Sequence, residues 1–79
     1  MAYSEDDINR IFELMITVID NANGGHAAYA VQYAMQSNMA YNNYGDDGLR
    51  HQIPYVLSNL QHWRGELAKH TKQELKRFL

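Results

Sequence analysis

Ile8, Ile11, Phe12, Met15, Val18 and Ile19 recur at three- and four-residue spacing. This spacing is the strongest constraint on the fold, because it aligns six apolar side chains on one side of an α-helix and divides them between the faces of a strand. Ser4 ahead of Asp7 resembles a capping box with Asp in place of Glu, and Glu5, Asp6 and Asp7 suit the positive end of a helix dipole. Asn21, Asn23, Gly24 and Gly25 then end the pattern, since Asn and Gly readily take left-handed backbone conformations. A helix over about residues 5–21 is predicted.

A second segment, His26 to about Met39, places Ala27, Ala30, Val31, Ala34 and Met35 on its inner face, small enough for another helix to approach closely. Tyr29 and Tyr33 lie on a neighbouring face, with Gln32 and Gln36 outside. Residues 40–48 are dense in Asn, Asp, Gly and Tyr without an apolar period, and are predicted to be a loop. The third segment begins near Asp46 or Asp47, either of which can cap it, and carries Leu49, Ile53, Val56, Leu57 and Leu60. Pro54 lies within that stripe, so the helix either kinks there or starts there. After Gly65, Leu67, Thr71, Leu75 and Phe78 share one face of a last helix, and Lys69, Lys72 and Lys76 point away from it. The expected fold is all-α, a single domain over residues 1–79 with three or four bundled helices.

A chain of 79 residues is small for such a bundle. It hides only ~63% of its unfolded surface on folding, and a core of this size rarely contributes more than ~3–5 kcal/mol without a staple or a partner subunit. Cysteine is absent, which excludes disulfides, thiolate zinc sites and cysteine nucleophiles and is compatible with a reducing compartment. No apolar run is long enough to span a membrane and the first residues lack a basic leader, so a soluble cytoplasmic protein is expected. The thin core and the alanine-lined second helix point to a homodimer or larger assembly.

Formal net charge is −2, which disfavours a nucleic-acid binder that works through many Lys/Arg–phosphate contacts. The charge is uneven: residues 1–40 set Arg10 against Glu5, Asp6, Asp7, Glu13 and Asp20, whereas residues 64–79 set Arg64, Lys69, Lys72, Lys76 and Arg77 against Glu66 and Glu74. Acidic first and basic last helices could attract each other within one chain or between two copies.

No catalytic constellation is visible. His62, Glu66 and His70 have the spacing of three ligands on one helical face, but Gly65 falls between them and no HExxH motif is present. Ser4, Ser37 and Ser58 lie outside any nucleophile elbow, and the paired carboxylates Asp6–Asp7 and Asp46–Asp47 occur where helix caps are expected. No metal and no cofactor are expected, and the chain is expected not to be an enzyme. Gly24 and Gly25 before a helix start could offer backbone amides to an anion, without the P-loop or dinucleotide-binding pattern.

The middle third is unusual in its aromatic and amide content. Tyr29, Tyr33, Tyr41, Asn42, Asn43 and Tyr44 could form a recognition surface, since tyrosine gives rigid contact area with a polar tip. Alternatively the helical tyrosines enlarge a poor core. Trp63 is expected in the core. Arg64 beside it could pair with an acid of the first helix or cover the indole, and an exposed Trp63–Arg64 pair would make an interface anchor.

Residues 53–79, through Tyr55, Leu57, Asn59, Leu60, Trp63, Arg64, Gly65 and the lysine-bearing last helix, resemble the C-terminal part of small uncharacterised bacteriophage proteins. The resemblance implies a protein that binds a bacterial host or anti-phage defence protein, in the manner of an anti-CRISPR inhibitor. With the residues above, the expected function is non-enzymatic occupation of a partner's surface. A homo-oligomer sequestering an anionic nucleotide signal through Gly24, Gly25, Arg64 and Lys69 is the second expectation. A DNA-binding regulator is a third, weakened because the segment after Gly25 begins His26, Ala27, Ala28 and the most basic helix is terminal.

Overall fold

The computed structural model describes residues 2–79, and among these residues it contains helices and no strand. Five segments follow one another: α1 (Glu5–Asn21), α2 (Ala27–Met35), α3 (Ser37–Tyr44), α4 (Asp46–Ser58) and α5 (Glu66–Lys76). Gln36 keeps helical backbone angles between α2 and α3, so these two continue one another and the chain makes four helical rods. The all-α bundle expected from the sequence is present.

α1 begins as its sequence predicts. The Ser4 hydroxyl accepts from the Asp7 N–H, and the Asp7 carboxylate accepts from the Ser4 N–H, each at 3.1 Å. Ile11, Leu14, Met15 and Val18 are its buried residues. At the following turn Gly24 has φ +95°, and a Cβ there would lie 2.7 Å from the His62 carbonyl oxygen. The turn therefore requires glycine twice over, for its backbone angle and for its contact with the residues before α5.

Residues 40–48 are not a loop. α3 continues to Tyr44, and the whole reversal into α4 is made at Gly45 (φ +65°). Asp46 and Asp47 do not cap α4; Gly45 occupies the cap position with no side-chain hydrogen bond. The Asp46 carboxylate instead accepts from the Tyr3 N–H at 2.8 Å. α3 and α4 approach each other so closely that a Cβ on buried Gly48 would lie 2.1 Å from the Ala40 carbonyl oxygen. Pro54 lies inside α4 on its exposed side and neither starts nor ends it.

The core joins Ile11, Leu14, Met15 and Val18 of α1 to Ala30 and Ala34 of α2, Leu49, Ile53 and Val56 of α4, and Leu75 of α5. Leu60 and Trp63, from the turn between α4 and α5, complete it. The helical phase differs from expectation at two places: Met35 is 63% exposed and Leu67 49% exposed. Ala68 takes the inward position expected of Leu67, with Thr71, Leu75 and Phe78 following it at helical spacing.

Tyr3 secures both chain ends. Its hydroxyl donates to the Phe78 carbonyl, its ring meets Phe78 edge-on at 6.0 Å, and the Arg50 guanidinium lies 4.4 Å from the ring centre.

Candidate functional site

Of the residues expected to contact a partner, the structure brings some to one face and removes others. Tyr44 is 74% exposed and Tyr29 58% exposed. Tyr33 is half-buried and stacks on Tyr55 with ring centres 5.1 Å apart, while the His51 ring meets Tyr55 at 5.2 Å. The Tyr33 carbonyl also accepts from the Gln52 amide at 3.0 Å, which fixes α2 against α4 beneath this aromatic row.

Beside the row, α3 and α4 enclose a shallow hollow of about 380 Å³ lined by Ala40, Tyr44, Asp47, Gly48, His51 and Gln52. A second hollow, of about 200 Å³, shares Ala40, Tyr44 and Gln52 and extends to Gln36, Met39 and Asn43. The close α3–α4 packing at Gly48 thus places tyrosine, methionine and amide groups around adjoining hollows, with His51 and one carboxylate, Asp47. Sequence reasoning did not single out Met39 and His51 for it. The signal was available: positions 21 to 45 contain no Asp, Glu, Lys or Arg, so two turns of exposed helix carry no charge.

Other expected contacts lie elsewhere. Tyr41 is half-buried with its ring edge-to-face on Phe12 at 5.7 Å. Asn42 is exposed but, four residues beyond Asn38, it belongs to the stripe that runs past Met35 toward α1. Trp63 is only 3% exposed, so it is a core residue and cannot anchor an interface. Arg64 neither pairs with an acid of α1 nor covers the indole; it lines a groove with Lys69. Gly24 and Gly25 lie against His62 and outside that groove, so the four residues expected to share one ligand are divided between two places.

The histidines are also divided. The His62 ring stacks on His26 at 6.0 Å, whereas His70 lies 3.9 Å from Glu66 on α5. Among the described residues no group of three or more His, Asp or Glu side chains is placed to hold a metal ion, and no helix is long and apolar enough to cross a membrane. Compared with known protein families, curated proteins and solved structures, the chain matches none.

Proposed function

We propose that this chain is a non-enzymatic binding protein that works by covering a surface of a partner protein with its α3–α4 face. One observation carries the proposal: Met39, Tyr44 and Tyr55 stand 67%, 74% and 42% exposed around hollows in which Asp47 is the one charged lining residue. Contiguous exposed apolar patches mark interaction sites, and aromatic and methionine side chains are the types enriched at the centres of interfaces. The resemblance of residues 53–79 to bacteriophage proteins gives the partner its class, a bacterial host or defence protein.

A photo-reactive phenylalanine analogue at position 44, expressed in bacterial cells, tests this. The expected result is one discrete covalent adduct with a host polypeptide, lost when Met39→Glu is added and absent when the same group is placed at Lys76. An adduct containing only two copies of the chain would instead make the face a homodimer interface, and no adduct at all would overturn the assignment.

A further inference from the structure

The opposite charge character is found at α5. Lys72, half-buried, donates from Nζ to the Leu60 carbonyl at 3.2 Å and to the Trp63 carbonyl at 2.8 Å. These two bonds hold the turn between α4 and α5 against α5 and carry Arg64 to the same side as Lys69 and Lys76. Between turn and helix lies an open groove of about 760 Å³, lined on its apolar part by Leu57, with buried Trp63 beneath it. Gln61 and Gln73 add amide groups, and Glu66 is the one carboxylate lining it. Arg64, Lys69 and Lys76 form no ion pair among the described residues. The N-cap of α5 is Gly65, which makes no side-chain hydrogen bond to the first-turn N–H groups and itself lines the groove.

We propose that this groove binds a small anion carrying two or more phosphate groups, of nucleotide size. Four cations against one carboxylate repel one another until a multiply charged ligand neutralises them, and a single carboxylate ligand would not. Arg offers a fork and Lys a point charge, the two ways in which phosphate oxygens are usually held. Uncapped helix N–H groups add to both. The volume falls within the ~300–1,000 Å³ typical of small-ligand sites, and half-buried Leu57 gives the uncharged part of such a ligand a place to rest. This site is separate from the α3–α4 face and stands or falls independently of it.

Tripolyphosphate is the probe, and Trp63, the single tryptophan, is the reporter, with amide NMR shifts of Arg64, Lys69 and Lys76 as a second readout. Saturable changes at low ionic strength are expected, weakening as salt screens the exposed cations. The Lys69→Ala/Lys76→Ala variant should bind about tenfold or more weakly. Arg77→Ala, which removes a cation outside the groove, should bind as before. No saturable change in either readout would overturn the proposal, as would an equal loss in Arg77→Ala, which would reduce the effect to net charge. Tighter binding of a single-stranded oligonucleotide with a steep salt dependence would overturn the small-ligand assignment.

Discussion

Arg10 and Glu74 form a two-pronged ion pair between α1 and α5, Nε to Oε2 at 2.9 Å and Nη2 to Oε1 at 2.6 Å. The pair joins the one cation of the acidic first half to one of two carboxylates in the basic C-terminal segment. It therefore runs against the attraction expected from the bulk charges. Lys69 and Lys76 stay unneutralised, which is what leaves the α5 groove electropositive.

The pair sets a pH dependence. The Arg10 guanidinium, by hydrogen bonding first and by its charge second, holds the Glu74 carboxyl below its ordinary value of 4.5. A depressed carboxyl contributes stability that is complete above its unfolded value and lost as pH falls through its folded value. Both partners are partly exposed, so Glu74→Gln should cost only about 0.5–1 kcal/mol at neutral pH. Urea midpoints of the two proteins should converge in acid; an equal gap at both pH values would refute the assignment.

Gly48 and Gly45 should respond differently to alanine. A Cβ at Gly48 would meet the Ala40 backbone at 2.1 Å, whereas one at Gly45 meets nothing within 4 Å. Gly48→Ala has to push α3 from α4, an overpacking cost of about 1–3 kcal/mol or more. It should also disturb the hollow lined by Tyr44 and His51. Gly45→Ala faces only its backbone angle, about 1–3 kcal/mol, with the face intact. Thermal melts paired with NMR shifts of residues 39–52 separate the two: large shifts throughout that region are expected for Gly48→Ala alone.

Tyr3 links the N-terminal segment to α4 and to Phe78, and its removal tests whether the chain ends belong to the fold. Tyr3→Phe keeps the ring and loses the hydroxyl bond to the Phe78 carbonyl, a cost of about 1 kcal/mol. Tyr3→Ala also loses the contacts with Phe78 and Arg50 and should cost distinctly more. Burial, chiefly, raises the Tyr3 phenol above its usual 10.0. A raised phenol contributes stability present below its unfolded value and lost as pH rises through its folded value. The gap between wild type and Tyr3→Phe should therefore close in strong alkali, as followed by denaturant midpoints.

The helices that were legible in the sequence are those whose ends carry local chemistry. Ser4 and Asp7 announced the start of α1, and its apolar spacing gave the rest. α3 was not legible, because Asn42, Asn43, Gly45, Asp46 and Asp47 all favour turns when read singly. Only Gly45 makes one; contact with α4 across Gly48 holds the asparagines in a helix that their propensities do not favour. Helical spacing alone puts Met35 beside Ala34 on the inner face and Leu67 in line with Thr71; a rotation of one position exposes both, leaving Ala34 in the core and giving Ala68 the place expected of Leu67. The basic groove was half legible. Arg64 and Lys69 were singled out, but the Lys72 bonds to Leu60 and Trp63 depend on a tertiary turn that no spacing rule describes.

Tyr41 and Tyr44, three residues apart, looked equivalent as contact residues, and the structure assigns them different work. Tyr41 packs edge-on against Phe12 and joins α3 to α1, whereas Tyr44 is largely in solvent. Tyr41→Ala should destabilise the fold, by about 0.5–1.5 kcal/mol for the aromatic pair beyond its lost buried area. Tyr44→Ala should change stability by no more than about 0.5 kcal/mol while weakening partner capture through the α3–α4 face. With the photo-reactive group moved to position 51, on the same hollow, melting temperature and cross-linking yield measured on both single variants should therefore move in opposite patterns. If Tyr44→Ala melts early, or leaves capture intact, the exposed tyrosine serves the fold and the interface lies elsewhere.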